Sequence, residues 1–116
     1  MTILITGITG SLGTSLVEEG TKRDHHIIGV AHSEKRNKLM KLQYPDIELH
    51  VADISDGEAL DKIISRCNVD YIIHCAAMKY IDICENNPTR AVDVNVNGSR
   101  NVINSAYSHG VKNVIA

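Results

Sequence analysis

Apolar positions along this chain alternate between short runs and helical stretches. Residues 3–5, 27–30, 47–51, 69–75 and 111–116 are apolar runs of strand length. After the first run, Leu12, Leu16 and Val17 recur at helical spacing, and Gly20 weakens that helix near its end. Residues 35–42 read as a short basic helix closed by Tyr44-Pro45-Asp46. Ser55-Asp56-Gly57-Glu58 has the form of a capping box, in which the Ser hydroxyl and the Glu carboxylate satisfy each other's orphan N–H groups. Leu60, Ile63 and Ile64 then give a third helix its apolar face. Pro88 opens a long fourth helix through Val92, Val96, Val102, Ile103 and Ala106, at a position where its missing N–H has no partner to lose. Gly110 ends it.

The order is β-α-β-α-β-α-β-α-β. A helix in every crossover makes the strands parallel and the crossovers right-handed. The expected fold class is α/β, a Rossmann-like doubly wound parallel sheet, incomplete at about five strands. Residues 1–116 then form the N-terminal part of one such domain. Residues 79–87 are the one longer connection, after the carboxyl end of the fourth strand, where ligands of open α/β sheets bind.

Composition narrows the partners. A formal charge of -2 and a 22% share of charged residues give no basic footprint for nucleic acid. Four Tyr, no Phe and no Trp leave few stacking platforms for single strands. No apolar run approaches the roughly 20 residues that span a bilayer. Met1 leads at once into a strand rather than into a charged segment and a long apolar one, so no secretory signal is expected and the setting is cytoplasmic. Cys67, Cys75 and Cys84 lack metal-ligand spacing and read as reduced thiols; no metal is expected.

Residues 3–13, ILITGITGSLG, carry the most specific chemistry. A strand runs into glycines at 7, 10 and 13, and a helix follows. Gly7 permits the tight turn, Gly10 lets backbone approach a pyrophosphate, and Gly13 lets the helix pack on the sheet. Thr6, Thr9 and Ser11 add hydroxyls that bond phosphate or brace the loop, and Leu12 belongs to the same turn. The positive end of the helix completes a dinucleotide-binding turn. The tip of the second strand reads Val30-Ala31-His32-Ser33-Glu34-Lys35-Arg36. No carboxylate sits directly at that tip to hold the ribose 2′-hydroxyl of NAD. Ser33, Lys35 and Arg36, beside His32, favour the 2′-phosphate of NADP, with NAD possible through Glu34.

TGITGSLG, spaced GxxGxxG, resembles the cofactor turn of short-chain dehydrogenases/reductases, in particular their extended, sugar-nucleotide-processing branch. Three later segments match in order: Ala52-Asp53-Ile54, then His74-Cys75-Ala76-Ala77-Met78-Lys79, then Glu85-Asn86-Asn87-Pro88 with Asn95-Val96-Asn97-Gly98. The resemblance covers essentially the whole chain and is nearest to UDP-N-acetylglucosamine 4,6-dehydratases of the polysaccharide-biosynthesis type. UDP-glucose 4-epimerases share much of it. It implies that Asp53 accepts from the adenine amino group and that Ile54 covers the ring. Ala76 and Ala77 leave room for ribose and phosphates, with Met78 beside them. Lys79 meets cofactor or substrate phosphate. Asn95 braces the active-site backbone, and His74 is a buried structural histidine.

The family's chemistry needs a Tyr base with a Lys four residues on. Residues four after Tyr44, Tyr71, Tyr80 and Tyr107 are Glu48, Cys75, Cys84 and Val111, so no catalytic residue is expected within 1–116. The chain therefore reads as the NAD(P)-binding portion of a larger sugar-nucleotide 4,6-dehydratase acting on a UDP-sugar. The alternatives are a 4-epimerase portion or a non-catalytic dinucleotide-binding module. Thr-Asp-Lys beyond Ala116 would mark the dehydratase. Pairing of two copies through the helix opened by Pro88, and an apolar edge at the fifth strand, are further expectations.

Overall fold

The computed structural model of the protein describes residues 1–76 and 85–116. Five strands alternate with helices: β1 (Thr2–Thr6), α1 (Ser11–Lys22), β2 (His26–Ala31), α2 (Glu34–Gln43), β3 (Glu48–Val51), α3 (Gly57–Cys67) and β4 (Tyr71–His74). After them come α4 (Pro88–Val92), a π-helical turn (Asp93–Asn97), α5 (Gly98–Ser108) and β5 (Asn113–Ile115). All pairings are parallel, in the order β3-β2-β1-β4-β5. The chain moves outward from β1 to β3 and then returns to place β4 beside β1. The carboxyl ends of β1 and β4 therefore border the point where strand order reverses, the usual ligand crevice of such sheets.

Two-residue periodicity sorts the strand side chains between two cores. Leu4, Ile28, Val30 and Ile72 pack with Leu60, Ile64 and Val102 from α3 and α5. Ile5, Ile27 and Ala31 pack with Val17 of α1 and Met40 of α2. Both faces of the sheet are covered, which is why its strands are continuous apolar runs rather than alternating ones.

Two local expectations need correction. Ser55 does not cap α3; Asp56 does, its carboxylate accepting from Ala59 N–H at 3.2 Å. The Ser55 hydroxyl is already committed, donating to Asp53 Oδ1 at 2.8 Å. The long helix from Pro88 is also not uniform, because the π turn over Asp93–Asn97 separates α4 from α5. Pro88 does occupy the first turn, and Gly110, at φ 68°, lies just beyond the helix end.

Candidate functional site

The glycine turn sits at the switch point. Gly7 has φ 65°, and a side chain there would strike Ala76 N at 2.7 Å, so the turn and the start of the loop after β4 meet backbone to backbone. A side chain at Gly13 would collide with the Ile8 backbone at 2.6 Å. Gly10 differs. It is exposed, and among the described residues a β-carbon would meet only the Gly7 carbonyl, at 3.3 Å. Packing within the chain demands glycine at 7 and 13 much more strongly than at 10.

Gly10 is also the N-cap of α1, and it supplies no side-chain hydrogen bond. By contrast, α2 is capped by Ser33, which accepts from Arg36 N–H, and α3 by Asp56. Nor is there an acidic residue in the first turn of α1. The positive end of this helix thus carries no compensating side chain of its own. Ser11 and Leu12 lie exposed beside it, Leu12 at 54%, and Thr9 is half-buried.

Beneath the turn, Thr6 is fully buried and ties β1 to β4. Its hydroxyl oxygen accepts from Cys75 N–H at 3.1 Å and Ala76 N–H at 3.2 Å. Those two donors fill its acceptor positions, so its own proton goes to His74 Nδ1, 2.7 Å away. His74 is then the Nε2–H tautomer, donating to Ser99 Oγ at 3.1 Å, and Ser99 donates in turn to the Asn95 carbonyl at 2.8 Å. Burial holds the imidazole below its ordinary pKa of 6.5, which keeps it neutral as this directional chain requires. The chain links the β1 terminus to the π turn that carries Asn95. Asn95 itself is exposed.

Asp53 follows β3 and is half-buried. Its Oδ1 accepts from Ser55 N–H at 3.0 Å and from the Ser55 hydroxyl, while Oδ2 pairs with the Arg90 guanidinium. Burial pushes this carboxyl up, but the bonds from Ser55 and Arg90 outweigh it and hold the group below its usual 3.8. Arg90 also donates to Ser55 Oγ at 3.0 Å. Sequence reasoning missed Arg90, since nothing in the local pattern joins residues 37 apart. The Ile54 side chain is 4% exposed and packs with Val94 and Val102. The side chain therefore lies in the core at the end of β3.

At the β2 tip, Ser33 Oγ is used as the α2 cap, and His32, Lys35 and Arg36 are exposed. Asn37 braces this tip from behind, donating from Nδ2 to the carbonyls of Ala31 and His50, both at 3.3 Å. Ala76 stands directly against the glycine turn. Ala77, Met78 and Lys79 lie outside the described residues.

A parallel sheet of order 3-2-1-4-5 with a glycine turn at its reversal point is a Rossmann-like fold. The model of the polysaccharide biosynthesis protein family matches residues 3–116, and the chain belongs to that family. It is 36% identical, over 98% of its length, to a UDP-N-acetylglucosamine 4,6-dehydratase (inverting) of Campylobacter jejuni. It is 31% identical, again over 98%, to a UDP-glucose 4-epimerase of Rickettsia massiliae. The chain spans 35% of the length of each of these relatives. Among solved structures, WbmG of Bordetella bronchiseptica in complex with NAD and UDP superposes with a TM-score of 0.85 at 26% identity, covering 97% of this chain and 35% of that one.

Proposed function

We propose that this chain is the dinucleotide-docking portion of a sugar-nucleotide 4,6-dehydratase that serves polysaccharide precursor synthesis. The observation that carries the reading is Gly10, exposed at the N-terminus of α1, which has no side-chain cap, and less constrained by the described residues' packing than Gly7 or Gly13. A residue without a side chain at that point suits close approach of a pyrophosphate. Gly7, Thr9, Ser11, Leu12 and Gly13 shape the turn, and Thr6 and His74 hold Ala76 against it. Asp53, fixed by Ser55 and Arg90, presents its remaining acceptor capacity at the end of β3. Ala77, Met78, Lys79 and Asn95 complete the cofactor-side set by family resemblance.

A nicotinamide cofactor supplies hydride acceptance and return. The residues of this chain bind and orient it; the Tyr and Lys that would move protons are not among positions 1–116. We favour NADP, because His32 and Ser33 follow the β2 tip with no carboxylate before Glu34, and Lys35 and Arg36 add cationic groups just beyond. NAD is the rival, supported by the NAD complex of WbmG. The parent protein takes a UDP-sugar, works in the cytoplasm and pairs with a second copy through the helical face bearing Val92, Val96, Ile103 and Tyr107, all more than half exposed. The 4-epimerase relative favours a second reading, in which hydride returns to the sugar carbon it left and no water is eliminated.

The test is to incubate the purified chain with UDP-N-acetylglucosamine and NADP. Cofactor binding without any 4-keto product is the expected result. Product formation would contradict the assignment of the chemistry to residues outside this chain.

A further inference from the structure

Away from the glycine turn, at the amino-terminal end of the sheet, β2, β3 and the second half of α3 line a partly open cavity of about 480 Å³. Glu48 and His50, two apart on one face of β3, line it together with Cys67, the final residue of α3. Glu48 Oε2 lies 2.7 Å from His50 Nε2 and 3.3 Å from Cys67 Sγ. All three donor atoms fall within 4.8 Å of one another, and all three residues are half-buried. We propose that Glu48, His50 and Cys67 form a binding site for a divalent cation of the zinc class.

The donor set argues for that class. Thiolate, imidazole and carboxylate together suit zinc, whereas hard cations take oxygen ligands alone. Bonds of about 2.0–2.3 Å in a tetrahedral arrangement put neighbouring donor atoms roughly 3.3–3.8 Å apart. The present cluster straddles that spacing, so side-chain adjustments of about an ångström seat an ion within it. Two ligands stand on a strand and one on a helix, so their backbones are fixed before the ion arrives. Coordination replaces the thiol proton with the metal, releases that proton to solvent, and shifts the ring proton of His50 to Nδ1. A thiolate and a carboxylate neutralise the two charges of the ion. Lys62 and Arg66 also line the cavity and oppose a cation, but a site that is neutral when filled repels them little. His26, at the start of β2, borders the same space. An ion here pins the end of α3 to the edge strand, so binding stabilises the fold by mass action.

The experiment uses the tag-free chain stripped with chelator and titrated with cobalt(II), then zinc. The expected results are a thiolate-to-cobalt charge-transfer band with one-to-one stoichiometry, its displacement by zinc, and a rise in Tm on adding zinc. Cys67→Ser should abolish the band and weaken zinc binding at least tenfold, whereas Cys75→Ser should leave both unchanged. His50→Gln provides a second test that keeps the thiol, and should weaken zinc at least tenfold with the apo Tm retained. Absence of the band in the wild type would overturn the proposal, as would equal zinc affinity in folded Cys67→Ser or His50→Gln protein.

Discussion

The Thr6 hydroxyl stands 2.7 Å from Nδ1 of His74 and donates its one proton there. Because the same oxygen accepts from Cys75 and Ala76 N–H, one buried side chain fixes the end of β1, the end of β4 and the histidine tautomer together. Thr6→Val keeps the shape and removes all three bonds. It should lower stability by about 2–3 kcal/mol, the cost of leaving buried polar groups unmade. Thr6→Ser should recover most of that loss. Urea unfolding monitored by circular dichroism measures both.

His74 sets a pH dependence whose sign follows from its lowered pKa. The unfolded imidazole takes up a proton more readily than the folded one. The stability it contributes is therefore full above about 6.5 and is lost as pH falls through the folded value. His74→Asn retains an acceptor for Thr6 and cannot ionise. Its Tm should change less than that of the wild type between pH 7 and pH 5.

Asp53 and Arg90 join the end of β3 to α4. With a folded pKa below 3.8, the carboxylate contributes stability above that value and loses it as pH falls through the folded one. Arg90→Ala removes one of the bonds that lower the pKa. The Asp53 resonance followed by NMR should then titrate at higher pH in the variant. An unchanged titration would show the Ser55 bonds to be sufficient alone.

The glycines separate folding from binding. Gly7→Ala forces a side chain into positive φ and against Ala76 N, and should cost more than about 2 kcal/mol. Gly10→Val places its side chain at an exposed N-cap position, 3.3 Å from the Gly7 carbonyl, and should cost less stability than Gly7→Ala while abolishing cofactor affinity. Thermal melting distinguishes the two variants.

The alternation of apolar runs is enough to read all five strands among the described residues and the helices on both faces, because buried parallel strands and helix spacing leave strong local patterns. What escaped was set by distance or by competition. Ser55 looks like a cap in sequence, yet Asp53 takes its hydroxyl two residues away. The π turn leaves the apolar positions around Val94 and Val102 intact, so no pattern announces it. Arg90, and the convergence of Glu48 and His50 with Cys67, come from separate elements and become visible only once the sheet is assembled.

The central claim is that the turn at residues 7–13 docks a dinucleotide. Calorimetric titration of the chain with NADP and with NAD, in wild type and in Gly10→Val, tests it most directly. The account predicts one saturable site in the wild type, tighter for NADP, and none in a Gly10→Val protein shown by its melting transition to be folded. No binding of either dinucleotide by the folded wild type, or equal affinity in the variant, would contradict it.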